Sequence, residues 1–116
     1  MNYKLAKQLK DAGFPQGMGR YFIKGIGEKE YRDFRITERQ GYESLLGAGY
    51  DMLFVPSLAE LIDECGKRFE GLHKENSDWG AVGFLKKKVV QCWGETHKKA
   101  MVKLYLKLTP LTSKPI

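Results

Sequence analysis

The chain has 116 residues, 42% of them hydrophobic, and a formal net charge of +6 from 20 Lys+Arg against 14 Asp+Glu. That length and apolar content suit one domain with a buried core and exclude a disordered tail, a multi-domain enzyme and a disulfide mini-protein. The charge is unevenly placed: residues 1–83 hold 12 basic and 13 acidic side chains, whereas residues 84–116 hold 8 lysines and one acid, Glu95.

The first expected element is a helix over residues 2–12. Asn2 is a natural N-cap, since its side chain accepts from the free amides of the first turn. Leu5, Leu9 and Ala12 follow at helical spacing. Gly13 stands where a left-handed residue closes a helix, Phe14 is placed to pack back on Leu9, and Pro15 forbids continuation. After a loop at 16–20, Tyr21-Phe22-Ile23 and Tyr31–Ile36 are rich in strand formers, with a glycine-bearing loop over 25–30, so a hairpin is expected. Phe34 and Ile36 alternate with Asp33 and Arg35, the pattern of a half-buried strand.

Residues 37–49 give no clear pattern. Glu43–Leu46 reads either as a short helical turn or as a strand end, and Gly47-Ala48-Gly49 breaks any regular element. Tyr50–Val55 predicts a buried strand ending at Pro56. Ser57-Leu58-Ala59-Glu60 is a capping box, and Leu58, Leu61, Ile62 and Cys65 repeat at i, i+3, i+4, i+7, which predicts a helix over 57–66. Phe69 and Leu72 mark a further short strand that the count takes as optional. Trp79–Phe84 and Lys88–Trp93 read as a strand pair with Lys86-Lys87 near its turn. Thr96 caps a last helix to about 108, with Met101, Leu104, Tyr105 and Leu108 on one side. Residues 109–116, with two prolines, read as a flexible tail.

The order α-β-β-β-α-β-β-α lacks the strand–helix–strand repeat of a parallel doubly wound sheet. The expected class is therefore α+β: one domain over 1–116, with one antiparallel sheet of four to five strands and the helices near 2–12, 57–66 and 96–108 packed on one face. The N-terminal run has no apolar core or cleavage site of a signal peptide, and no apolar stretch is long enough to span a bilayer. Two cysteines, Cys65 and Cys92, are too few for a disulfide framework. These features predict a reduced, cytoplasmic protein with no membrane association.

Candidate chemistry is sparse. Cys65, His73, Cys92 and His97 show no metal-ligand spacing. No serine lies in a nucleophile-elbow context, and Ser57 already has a capping role. Glu28 with Glu30, and Glu60 with Asp63 and Glu64, read as solvated faces, while Gly25-x-Gly27 and Gly47-x-Gly49 complete no phosphate-binding motif. The expectation is a non-enzymatic protein with no catalytic residue, no metal and no cofactor. The basic set stands out: Lys86, Lys87 and Lys88 at the turn, then His97, Lys98, Lys99, Lys103 and Lys107 on the last helix. Lys99, Lys103 and Lys107 recur at i, i+4, i+8 and make one ridge. If the 86–88 turn lies near the start of that helix, one basic surface results, suited to an anionic partner. The plainer reading of such lysines is solubility.

Three pieces occur together: Asn2-Tyr3-x-Leu5-Ala6-x-x-Leu9-Lys10-Asp11-Ala12-Gly13-Phe14-Pro15-Gln16, then Val55-Pro56-Ser57-Leu58-Ala59-Glu60-Leu61-Ile62-Asp63-Glu64-Cys65-Gly66, then Gly94-Glu95-Thr96 leading to Ala100-x-x-x-Leu104-Tyr105-Leu106-x-Leu108. In this combination the chain resembles a family of small bacteriophage and prophage proteins with no assigned activity. Where the family pattern places Pro-Glu-Glu after the capping Thr, this chain has His97-Lys98-Lys99, whose two lysines oppose the helix dipole. The resemblance implies a phage-type accessory protein acting in the host cytoplasm by binding a host macromolecule. A host protein or protein complex is the expected partner, as for a host-takeover or anti-defence (anti-CRISPR-like) inhibitor. Two alternatives remain: a nucleic-acid-binding protein using the lysine-rich last third, and a small-ligand or nucleotide binder.

Overall fold

The computed structural model describes residues 1–109. The chain forms two compact units, Met1–Pro56 and a second that begins at Ser57. The expected tail lies, beyond Thr109, outside the described residues.

The first unit contains α1 (Tyr3–Asp11), β1 (Gly19–Lys24), β2 (Arg32–Ile36), α2 (Arg39–Gly47) and β3 (Asp51–Phe54). Helix α1 has both of its expected ends. The Asn2 side chain accepts from the Leu5 amide at 3.0 Å. At the other end Gly13 adopts φ +91°, the Phe14 amide donates to Leu9 O at 2.9 Å, and the Gly13 amide donates to Lys10 O at 3.0 Å. This is a complete Schellman closure. Truncating the cap, Asn2→Ala, is expected to cost about 1 kcal/mol, read as a lower urea midpoint of the first unit by tyrosine-region circular dichroism.

Residues 39–47, left open by sequence pattern, form α2. None of its residues is buried, and Glu38 makes no side-chain cap, so it carries neither of the usual signals. Its end repeats that of α1: Gly49 at φ +87°, Tyr50 N–H to Leu45 O and Gly49 N–H to Leu46 O, both 3.1 Å. Tyr42 anchors it, its ring 5.9 Å from that of Tyr21.

Strand β1 lies between β2 and β3 and pairs antiparallel with both. Tyr21, Ile23, Met52, Phe54 and Ile36 are buried and fall on one face by register. Phe34 departs from its expected burial: it is 44% exposed, because β2 is an edge strand and the inner face is filled by Tyr21 and Phe54, whose rings stand 5.3 Å apart. Gln16 ties the post-helix loop to the sheet, accepting from Phe54 N at 3.0 Å and donating to Phe14 O at 2.9 Å.

The second unit contains α3 (Leu58–Cys65), a short 3-10 turn (Gly66–Arg68), β4 (Phe69–Glu75), β5 (Asp78–Leu85), β6 (Lys88–Gly94) and α4 (His97–Leu108). The capping box of α3 forms in both directions: Glu60 N–H donates to Ser57 Oγ at 3.1 Å and Ser57 N–H to Glu60 Oε1 at 2.9 Å. Strands β4-β5-β6 make an antiparallel meander. The single sheet of four to five strands is therefore corrected to two separate three-stranded sheets, with Phe69–Glu75 as a full strand. The α+β class stands.

Helix α4 closes the second core with six buried residues, Ala100, Met101, Val102, Leu104, Tyr105 and Leu108. Burying each of the larger ones contributes about 1.5–3 kcal/mol. It packs on the face of the meander that carries Gly83 and Gly94, and α3 packs on α4. Arg68 ties the helix end to the turn after α3, donating to Leu108 O at 2.8 Å. Among the described residues no helix is long and apolar enough to cross a membrane.

Candidate functional site: the β5–β6 hairpin and helix α4

Two close approaches fix the direction of α4. At Gly94 a Cβ would stand 2.7 Å from Ala100 N, so the first turn of the helix sits on the end of β6. At Gly83 a Cβ would stand 3.3 Å from a Leu104 methyl, so the helix runs back along the hairpin. The Lys86–Lys88 turn is at the opposite end of β6 from Gly94, roughly 20 Å away by strand rise. The expected nearness of this turn to the start of α4 is thus corrected. The C-terminal part of the helix, with Lys107, points toward the turn.

The structure divides the basic set into three groups. His97 sets its ring edge against Trp79, centroids 5.4 Å apart, and the Lys74 ammonium lies 5.9 Å from the same indole. Lys99, Lys103 and Lys107 form the expected ridge, and it follows the edge strand β6. Lys103 Nζ donates to Trp93 O at 2.9 Å, while Lys99 and Lys103 line a shallow depression of about 200 Å³ with Asp78, Trp93, Gly94 and Glu95. Thr96 caps the helix, its hydroxyl oxygen accepting from Lys99 N at 3.1 Å. Lys98 is half-buried beside it. Cys92 lies inside this ridge; burial pushes its thiol pKa up, against the opposing pull of Lys107 and Lys103. Cys65 is a separate free thiol in the buried face of α3, pushed up to about 11 by burial.

The third group is the turn itself. Lys86 and Lys87 adopt φ +52° and +69° between the paired residues Leu85 and Lys88. Two consecutive positive φ values make a type I′ turn, a position that favours Asn-Gly. Each lysine there costs on the order of 1 kcal/mol in backbone strain. The charges are thereby held on a tight, twisted tip beyond the end of the sheet.

Residues outside the basic set complete the surface. Successive strand residues point to opposite faces, so Val82 and Phe84 of β5 and Val89, Gln91 and Trp93 of β6 share the face away from α4. Phe84 is 38%, Val89 65% and Trp93 39% exposed. Across the same face Gly80 gives room for two rings: a Cβ would stand 2.7 Å from His73 and 3.1 Å from Trp93. The His73 and Trp93 rings meet edge to face at 5.2 Å, and Gln91 Nε2 reaches His73 Nε2 at 3.2 Å. The sequence signal for this face is a β5–β6 pair apolar on both sides, in a chain with one long helix to cover it.

Exposed acids lie on α3 and β4 (Glu60, Asp63, Glu64, Glu70, Glu75) with Lys67 and Lys74 among them, and most of the unit's lysines lie on β6, the turn and α4, with Asp78 and Glu95 beside them. Among the described residues, no three His, Cys, Asp or Glu side chains come together as metal ligands. No family model, curated protein or solved structure matches the chain.

Proposed function

We propose that this is a non-enzymatic, phage-type accessory protein that binds a host protein through the uncovered face of the β5–β6 hairpin and the lysines around it. One observation carries the reading: Phe84, Val89 and Trp93 are exposed together on a sheet face that α4 leaves open, next to Lys86–Lys88 and the Lys99–Lys103–Lys107 ridge. An apolar centre with an aromatic anchor and a charged rim is the anatomy of a protein–protein interface. The rim is mainly cationic, so the matching partner surface has an apolar centre and acidic residues about it, which steer the encounter and make it salt-sensitive. The phage origin rests on the three sequence pieces. An inhibitor of host defence, cytoplasmic in the host, is the role that size and surface suit.

The test is capture from a bacterial host lysate with and without nuclease, followed by reconstitution with the purified partner. A host protein should be retained in stoichiometric amount after nuclease. It should be lost when Lys86, Lys87, Lys99 and Lys103 are replaced by Glu, with affinity falling at least about ten-fold. Loss of all specific material on nuclease treatment would replace this reading with nucleic-acid binding, which the same lysines and the Trp93 ring also suit. Recovery of background proteins alone, unchanged by the charge reversals, would remove it.

A further inference from the structure

The first unit carries a depression with its own set of aromatic and charged groups. Tyr3 on α1, Lys24 at the end of β1, and Lys29, Glu30 and Tyr31 before β2 line a depression of about 320 Å³, at the small end of the range for ligand pockets. Its walls are two aromatic rings and three charged groups. The Tyr3 and Tyr31 rings stack with centroids 5.0 Å apart, and the Lys24 ammonium lies 4.8 Å from the Tyr31 centroid. Tyr31 is pinned through its hydroxyl, which donates to Asp51 Oδ2. Burial and that hydrogen bond push its pKa up to about 12.

The loop is braced by one residue and leaves its neighbours available. Glu28 accepts from Gly25 N–H at 2.5 Å and pairs with Arg32 at 3.5 Å, and its own amide donates to Gly25 O at 3.0 Å. Among the described residues, the side chains of Lys29 and Glu30 make no hydrogen bond or ion pair, and the Lys24 side chain, on a strand residue paired with Asp51, makes only its ring contact. Two cations and one carboxylate thus face a space beside an exposed aromatic ring, on a loop whose shape is already fixed. Tyr3 is 45% exposed, leaving ring surface for a further stacked plane.

We infer that this depression binds a nucleoside monophosphate, its base stacked on Tyr3 and its phosphate held between Lys24 and Lys29. The charges match that ligand. Lys24 trades a weak ring contact for a phosphate oxygen, a harder anion. Glu30 accepts from a ribose hydroxyl or a base amino group and repels the additional charge of a diphosphate or triphosphate. Stacking and ion pairing are both required, so neither half of the ligand suffices alone.

The test titrates the intact protein with adenosine monophosphate, adenosine and inorganic phosphate, following backbone amide chemical shifts. Saturable shifts around Tyr3, Lys24 and Lys29–Tyr31 are expected with the monophosphate, with adenosine and phosphate each at least about ten-fold weaker. Lys24→Gln with Lys29→Gln, and separately Tyr3→Leu, should each weaken binding about ten-fold, while Tyr3→Phe keeps it. The spectra themselves report that each variant is folded. Absence of saturation, phosphate binding as tightly as the nucleotide, or shifts that map instead to Lys86–Lys88 would overturn the inference.

Discussion

Gly94→Ala is expected to destabilise the second unit by about 3 kcal/mol, toward the upper end for an overpacked site. The reason is the identity of the atoms a methyl group meets. A Cβ at Gly94 stands 2.7 Å from Ala100 N and 3.1 Å from Lys99 C, which are backbone atoms of the first turn of α4 and cannot rotate away. Relief requires lifting the helix start, and that start is also fixed by the Thr96 cap. Gly83→Ala should behave alike, since its Cβ would lie 2.6 Å from Arg68 O. Gly71 is the control: nothing lies within 4 Å of its Cβ, so Gly71→Ala should stay within about 0.5 kcal/mol of the parent or exceed it slightly. The measurement is a urea midpoint by tryptophan fluorescence. Both tryptophans, Trp79 and Trp93, belong to the second unit, so the signal reports that unit alone. An unchanged midpoint for Gly94→Ala would show that α4 stands farther from β6 than described.

The features legible in the sequence are those written in local chemistry. Asn2, Ser57 and Thr96 announce helix starts because an N-cap acts over three residues, and all three side chains accept the expected amide. Helix α2 was not legible in the same way. Its apolar residues, Tyr42, Leu45 and Leu46, gain little burial, so no strong stripe marks it. Yet Ala48-Gly49-Tyr50 repeats the stop of Ala12-Gly13-Phe14, and both form the same pair of closing hydrogen bonds. The division into two sheets depends on pairings such as Tyr21 with Phe54 and Ala81 with Cys92, which no local pattern specifies. The lysine ridge was legible from its four-residue spacing. Its relation to the Lys86–Lys88 turn was not, because that depends on which way α4 lies on the hairpin. The open face of Phe84, Val89 and Trp93 was hidden for a related reason: exposure is decided by what covers a sheet, not by the strands themselves.

Trp93→Ala is expected to weaken binding of the proposed host partner by about 30-fold or more, equivalent to about 2 kcal/mol, the scale of an aromatic hot spot. Its cost to folding should be smaller, about 1 kcal/mol. The ring is 39% exposed, and its described contacts are the edge of His73 and the space over Gly80. The Lys86–Lys88 turn, at the other end of β6, offers the opposite combination. Replacing Lys86-Lys87 by Asn-Gly removes two strained lysines and should raise stability by about 1–2 kcal/mol. The same replacement removes two charges from the rim and should slow association with an acidic partner, an effect that shrinks as salt is added. Solubility alone does not explain charge at this cost, since an exposed strand position would carry a lysine without strain. The two variants therefore separate binding from folding: one loses affinity with a small stability cost, the other loses it while gaining stability. Urea midpoints and salt-dependent association rates on the same preparations measure both. An Asn-Gly turn that stabilises the unit and leaves partner binding untouched would remove Lys86 and Lys87 from the interface and leave the β6–α4 ridge as its only basic contact.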